Sequence, residues 1–440
     1  MRSGALRRAE VEAETEVPAT GAGHRGGAAP SLHILVLTDR EWTHPQGGGT
    51  GTNLFGQVMR WLAWGHRVTV IACGYPGAAP VERHGALTVH RLGGRSTVFP
   101  RAIWHQWRGL VPDADVVLEV VNGITFLTPV WLRSPRLVFI HHIHRRHYMA
   151  EMGRLGAIAA FLLETAPLRW LYRDARFVCV SNATATEIAD HGIPHGQIAV
   201  NYNGVELDAF APGEKSPEPT LLFLGRLKRY KRIELLLDAL AALPRGTLHI
   251  AGDGDYRPAL EEAIAERGLE GRIHMHGAVD EPTKLKLLQR SWIHVTASEC
   301  EGWGLTVTEA AACGTPTVAV SAGGLAESVV DGETGVLVEN AKEMARVIDA
   351  LIDDDDARQR LAEGGLARTR GLTWDRTARA TLSALRDEHA RRVPARRGLR
   401  KRMMATDGTG VSSVADAVMI ATFMQLVFTI VYARWRKARR

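Results

Sequence analysis

Apolar residues along this chain fall into short unbroken runs separated by longer stretches of helical periodicity. Leu32-His33-Ile34-Leu35-Val36-Leu37 reads as a buried strand, followed by the polar, glycine-rich loop Pro45-Gln46-Gly47-Gly48-Gly49-Thr50-Gly51. A helical pattern runs from about Asn53 to Trp64, Gly65-His66 stops it, and Val68 to Ala72 is the next strand. Further strands are expected at Val116–Val121, Leu137–Ile140, Phe177–Val180 and Ile198–Tyr202. After the proline-rich linker Asp208–Pro219 a second cycle begins, with strands at Leu221–Leu224, Leu248–Ala251, Ile273–His276, Trp292–Ala297 and Thr317–Val320, and helical periodicity from Arg232 to Leu243. Strands this short, alternating with helices, are the mark of parallel sheets covered on both faces. The expected fold is α/β, with two doubly wound Rossmann-like domains facing a cleft. Ligands of such sheets lie beyond the carboxyl ends of the strands.

Composition refines this picture. At 440 residues, 45% hydrophobic and 23% charged, the chain is globular and long enough for more than one core. Residues 1–30 are rich in Ala, Gly, Glu and Arg without an apolar run and read as a disordered tail, not a signal peptide. Four cysteines (Cys73, Cys179, Cys300, Cys313) have no metal-ligand spacing and lie in or beside apolar runs, so reduced core thiols and a cytoplasmic location are expected. The net charge of +6 concentrates at the end of the chain. Seven basic residues (Arg391, Arg392, Arg396, Arg397, Arg400, Lys401, Arg402) precede an apolar stretch, Val411 to Tyr432, and five more (Arg434, Arg436, Lys437, Arg439, Arg440) follow it. That stretch is long enough to cross a bilayer, yet Asp416 and the final basic cluster oppose a span, and an in-plane helix on anionic headgroups is the competing arrangement. Attachment to the inner face of the cell membrane is expected, and no nucleic-acid recognition motif is present.

Chemistry concentrates in the second half. Ser298-Glu299-Cys300-Glu301-Gly302-Trp303-Gly304-Leu305-Thr306-Val307-Thr308-Glu309 places Glu301 on the loop leaving a strand and Glu309 on the helix that follows, which Gly314 and Pro316 end. A carboxylate accepts from paired hydroxyls such as those of a ribose or pyranose, whereas the bland alternative is two solvated charges. Gly225-Arg226-Leu227-Lys228-Arg229-Tyr230-Lys231-Arg232 also joins a strand to a helix, so that Arg226 and Lys231 can converge on one anion. In the first half, Gly48 and Gly49 bring free amides to a helix start, which suits an anion.

Taken together and in order, these segments resemble the retaining GT-B glycosyltransferases of family 4 over residues 31 to 390. Phe223-Leu224-Gly225-Arg226-Leu227 with Lys231 resembles the family's phosphate motif. Glu301-Gly302-Trp303-Gly304-Leu305…Glu309-Ala310 resembles its paired-glutamate signature, Gly323-Gly324…Glu327…Asp331-Gly332…Gly335 its donor-side loop, and Asn203-Gly204-Val205 its inter-domain hinge. The resemblance implies a nucleotide diphosphate sugar as donor. Glu309 would take the ribose hydroxyls, Glu301 the transferred sugar, and Arg226 and Lys231 the diphosphate. Backbone amides of Leu305, Gly49 and neighbouring Gly48 would reach the phosphates, and the segment around Val279 would contact the base. His141, with His142 adjacent, would stand at the reaction centre as a neutral hydrogen-bonding imidazole. Glu119 and Asn122 would either face the same cleft or cap a strand end. The implied reaction is retaining and metal-independent and needs no cofactor; a metal site of His141, His142, His144 and His147 is the alternative. Two departures stand out: the family's glycine after Lys231 is Arg232 here, and its proline before Ser298 is Ala297.

The implied organisation is a tail (1–30), an acceptor-side domain (31–205), a nucleotide-sugar domain (206–372), a helix returning to the first domain (373–390), and a basic tail (391–440) with an apolar helix at 411–432. The acceptor is expected to be a saccharide, or a lipid or lipid-linked saccharide at the cytoplasmic membrane face. Arg101-Ala102-Ile103-Trp104-His105-Gln106-Trp107-Arg108 and His144-Arg145-Arg146-His147-Tyr148 suit a headgroup surface. Two other classes of function are a non-catalytic membrane scaffold of the same fold and a dinucleotide-dependent oxidoreductase, although the Gly-x-Gly-x-x-Gly spacing is absent.

Overall fold

The computed structural model describes residues 30–110, 113–144, 153–158 and 160–403, with side chains to Arg391. The tail 1–29, Arg145 to Tyr148, and the apolar stretch 411–432 lie outside the described residues. The chain divides into two compact units. Unit 1 takes the residues up to Cys179, Thr184–Asn201 and those from Ala378 onward; unit 2 takes Val180–Ala183 and Tyr202–Thr377.

The sheet of unit 1 contains β1 (His33–Leu37), β2 (Arg67–Ala72), β3 (Val81–His84), β4 (Leu87–Arg91), β5 (Val116–Val121), β6 (Arg136–Ile140), β7 (Arg176–Cys179) and β8 (Ile198–Val200). Their order is β3-β4-β2-β1-β5-β6-β7-β8, and every pairing is parallel except β3 with β4. The interior strands are buried end to end, which is why they read as continuous apolar runs. The β3–β4 hairpin was not foreseen, because β3 alternates exposed and half-buried positions as an edge strand.

Helix α1 (Gly48–Ala63) follows β1 and α2 (Val98–Trp107) follows β4. The first correction concerns α1, which begins at Gly48 and not near Asn53. Gly47 and Gly51 supply the room: a Cβ at Gly47 would sit 2.8 Å from the carbonyl oxygen of Glu41, and one at Gly51 3.0 Å from Trp42 Cα.

Unit 2 has a sheet of β9 (Thr220–Leu224), β10 (Thr247–Ala251), β11 (Ile273–Gly277), β12 (Ile293–Thr296), β13 (Thr317–Val320) and β14 (Gly335–Val338). Its order, β11-β10-β9-β12-β13-β14, is entirely parallel and is the 3-2-1-4-5-6 doubly wound arrangement. The strand β14 was missed because four residues opening on glycine carry almost no pattern. Helices α3 (Ile233–Ala242), α4 (Arg257–Glu266), α5 (Glu281–Arg290), α6 (Leu305–Ala312), α7 (Ala341–Asp353) and α8 (Asp355–Thr369) cover it, and α9 (Trp374–Met403) runs on into unit 1. Leu237, Leu240, Leu248, Ile250, Ile293 and Val318 form one buried cluster between α3, α7 and the sheet. Strand order reverses between β9 and β12, so the loops leaving these two strands flank the switch point where doubly wound folds bind ligands.

The family's glycine after Lys231 finds its explanation here. Arg232 caps α3 with φ 50° and ψ 45°, the left-handed region that only glycine occupies without cost. Arg232 is exposed, so its side chain recovers nothing by burial. Arg232→Gly is expected to raise the unfolding free energy by about 0.5–1 kcal/mol, the left-handed penalty less the extra chain entropy of glycine. Urea denaturation checks this; an unchanged or lower midpoint would refute the strain.

Candidate functional site

Three loops meet at the carboxyl edge of the unit 2 sheet. After β9, Gly225 takes φ 157° and its amide donates to Ala251 O at 3.0 Å; Leu227 N donates to Asp253 O at 3.1 Å. The loops after β9 and β10 therefore run against each other backbone to backbone. Glycine is compulsory on the second: a Cβ at Gly252 would lie 1.8 Å from Gly225 O, and one at Gly254 2.0 Å from Leu227 O. The loop after β12 joins them through Glu299 N to Tyr230 O at 2.9 Å. It is buttressed by Gly324, whose amide donates to Glu301 O at 2.7 Å and whose Cβ would meet Gly302 O at 2.0 Å.

This packing places three of the predicted residues of unit 2, Lys231, Glu301 and Glu309, in two charge pairs. Lys231 Nζ contacts Glu301 Oε1, which also accepts from Ser298 Oγ at 3.0 Å. Burial works against the Lys231 ammonium, but Glu301 and then Tyr230 outweigh it and hold its pKa above the ordinary value. Glu309, buried on α6, receives Lys284 Nζ at 3.0 Å. Lys284 also reaches Glu281 at 2.7 Å, and these two carboxylates likewise keep it charged against burial. Lys284, on the helix after the Val279 segment, is the contributor the sequence reading passed over. Its signal was positional: on α5 it stands four residues before the buried Leu288, and so on the inward face of its helix. Arg226 is the freer cation, its guanidinium 3.5 Å from Tyr230 Oη. Val279 is half-buried just after β11, and Leu305 opens α6 behind Gly304 at φ 90°.

Two more features attach to this loop. Trp303 is buried and stacks on Tyr202 with ring centroids 4.5 Å apart. Glu327, just beyond the Gly323-Gly324 turn, accepts from the amides of Asn182 at 2.8 Å and Ala183 at 2.7 Å and from Tyr202 Oη at 3.3 Å. One carboxylate thus holds the Val180–Ala183 segment within unit 2.

Unit 1 carries its own polar cluster at the carboxyl edge of its sheet. Asp39, after β1, accepts from Arg40 Nε at 2.8 Å and Asn122 Nδ2 at 2.8 Å. Burial would raise its pKa, yet Arg40, Asn122 and Arg95 together bring it below the ordinary value. Glu119 does not face a ligand: it is fully buried, with Phe126 N at 2.7 Å, Tyr172 Oη at 2.6 Å and Thr128 Oγ1 bonded to it, and burial raises its pKa. Its work is to fix the 122–128 turn.

His141 follows β6, is 6% exposed, and its Nε2 is buried without a hydrogen-bond partner. Burial pushes its pKa down to about 3, so the imidazole is neutral. Gly48 and Gly49 are exposed at the start of α1. Among the described residues no group of three or more His, Cys, Asp or Glu is placed to hold a metal ion. Cys73, Cys179 and Cys313 are buried and outside any disulfide, as expected, but Cys300 is half-exposed on the Glu301 loop and is not a core residue.

Known proteins resemble this chain in both of its halves. Residues 205–368 match the family model described as glycosyl transferases group 1, and residues 47–209 that of glycosyltransferase family 4. A D-inositol 3-phosphate glycosyltransferase of Xylanimonas cellulosilytica is 33% identical over 297 residues, covering 60% of this chain and 70% of the relative. A glycogen synthase of Mycobacterium tuberculosis is 33% identical over 229 residues, 48% of this chain and 54% of its own. Sucrose-phosphate synthase from Thermosynechococcus elongatus superposes with a TM-score of 0.70 at 21% identity, over 82% of this chain and 100% of that one. Anabaena Alr3699/HepE, solved in complex with UDP and glucose, gives 0.66 at 20% identity over 81% and 100%. At these identities the structures establish the GT-B fold. The chain belongs to glycosyltransferase family 4.

The buried histidines set a pH response. His141 and His294 are both depressed by burial to about 3 from an ordinary 6.5. The unfolded chain therefore binds protons below pH 6.5 that the native state refuses, so stability is full above that value and is lost as pH falls toward 3. Glu119, raised by burial, acts oppositely over its own range. The urea midpoint is expected to be lower at pH 5 than at pH 7, with a smaller difference in His141→Gln. Equal pH dependence in the two proteins would show that His141 is not held neutral.

Proposed function

We propose that this chain is a retaining, metal-independent glycosyltransferase. It would move a sugar from a nucleotide diphosphate sugar to a hydroxyl of a saccharide, or of a lipid or lipid-linked saccharide at the cytoplasmic face of the membrane. The observation that carries the reading is the double charge pair at the switch point of unit 2, Lys231 with Glu301 and Lys284 with Glu309. A diphosphate needs buried cations, and each sugar ring needs a carboxylate; both are present within one loop cluster. Arg226 and Lys231 neutralise the departing diphosphate with the help of the Leu305 amide, so charge stabilisation needs no metal. Glu309 takes the ribose hydroxyls, Glu301 the transferred sugar, and the backbone around Val279 the base. In unit 1, the amides at Gly48 and Gly49 suit an anion, and neutral His141 suits a sugar hydroxyl.

The leaving diphosphate is the nearest base for the incoming hydroxyl. Substitution on the same face, through an oxocarbenium-like state, follows without a protein nucleophile. Family membership and the missing dinucleotide fingerprint remove the oxidoreductase reading, and the four intact charged residues speak against a scaffold that has lost activity.

A second reading of the acceptor has its own support. The relatives named above act, by their names, on D-inositol 3-phosphate and in glycogen synthesis, which favours a soluble polyol phosphate or glucan. A screen of radiolabelled UDP-, GDP- and ADP-sugars against inositol phosphates, glucans and membrane extract separates the two: label in the organic phase supports the lipid acceptor, label in the aqueous phase the soluble one. In the same assay Glu309→Gln and Arg226→Ala should lower kcat/KM by roughly a hundred-fold or more with melting temperature retained. Near-normal transfer by both variants would overturn the assignment.

A further inference from the structure

Residues 153–173 of unit 1 are apolar on two opposite sides. The inner side is spoken for: Ala160, Leu163, Leu168 and Tyr172 are core residues, and fully buried Glu164 accepts from the His144 amide at 3.0 Å. The outer side is apolar as well. Leu155 (61% exposed), Ile158 (57%), Phe161 (47%), Leu162, Trp170 (61%) and Leu171 all face away from the core. Phe161 and Trp170 stand edge to face at 6.0 Å, so the middle and the end of the segment share one surface. A helical segment apolar all round belongs in a core or a membrane, and an exposed patch of this kind marks an interaction site.

The charges identify the partner. Glu164 is the sole carboxylate between 153 and 173 and it is buried, whereas Arg154, Arg169 and Arg173 are exposed around the apolar side chains; at the border, exposed Asp174 lies 3.8 Å from Arg173 and leaves Arg154 and Arg169 as the cations of the face. Apolar wedges ringed by arginines match an anionic bilayer surface, where the rings enter the acyl boundary and the guanidinium groups meet the headgroups. A second copy of the chain would set like charges against each other across a two-fold interface.

The exit of the chain's C-terminal stretch supplies an independent argument. Helix α9 delivers Arg391 beside this face, with its guanidinium 3.3 Å from Asp174 O, and Arg176 lies 3.4 Å from Glu388. The basic run that begins at Arg391 therefore starts within three residues of Leu171 along unit 1.

We propose that the 155–171 face, with the adjoining start of the basic tail, is the surface by which unit 1 docks on an anionic membrane. The inference deepens the membrane-face part of the proposed function and rests on that reading. The test uses the full chain and sedimentation with vesicles of phosphatidylglycerol mixed with phosphatidylcholine, and with phosphatidylcholine alone. Wild type should partition to the anionic vesicles, and Phe161→Ser/Trp170→Ser and, separately, Leu155→Glu/Ile158→Glu should each weaken partition by about ten-fold or more. Thermal stabilisation by UDP, GDP or ADP, measured alongside, should be equal in all three proteins; it reports the donor site alone and so separates failure of the membrane face from failure of the glycosyltransferase reading. Unchanged vesicle partition in both variants overturns the proposal and leaves binding to the tail. A lowered melting temperature or a dimer-to-monomer shift without loss of partition also overturns it, assigning the face to the chain's own C-terminal residues or to a second copy.

Discussion

The structure of unit 2 depends on how closely three backbone loops approach at the reversal of its sheet. Gly252 and Gly254 are required because a Cβ at either position would collide with a carbonyl of the β9 loop. The Glu299 amide on Tyr230 O then sets the β9 loop, with Lys231, against the β12 loop, with Glu301. Four charges then occupy a space that burial alone would leave neutral, and they persist because each has an opposite partner. A site filled by its own ion pairs is poised for a ligand with matching charges. On the proposed function, a diphosphate would replace the carboxylate at Lys231, and the freed carboxylate would turn to a sugar hydroxyl.

Unit 1 solves the opposite problem with neutral groups. His141 is uncharged through burial, and Glu119 is spent on pinning the turn that leaves β5. Asp39 is the exception, kept ionised by Arg40 and Asn122. An uncharged imidazole with an unpaired buried nitrogen donates or accepts without drawing in a counter-ion, which suits a hydroxyl and not a phosphate.

Much of this was legible in the sequence because parallel strands buried on both faces leave uninterrupted apolar runs, and because the strand-to-helix loops between them hold the polar chemistry. Arg226, Lys231, Glu301 and Glu309 could be placed on their loops from the runs on either side. The edge strand β3 and the four-residue β14 were not legible, since neither carries a period long enough to see. Neither was the partner of Glu309: Lys284 looks like any helical lysine until α5 packs against α6. Glu119 was ambiguous for a similar reason, because a strand-end carboxylate reads the same whether it meets a ligand or Tyr172. Arg232 showed only as a departure from a family habit, and its left-handed backbone gives that departure a physical meaning.

The central claim is that the ion pairs at the switch point of unit 2 are the place of a nucleotide diphosphate. Titration calorimetry of UDP, GDP and ADP into the full chain tests it most directly. One of the three should bind at a single site, weaken as salt rises, and lose most of its affinity in Lys231→Ala with the fold retained. Absence of binding by all three, or binding indifferent to Lys231→Ala, would contradict the account.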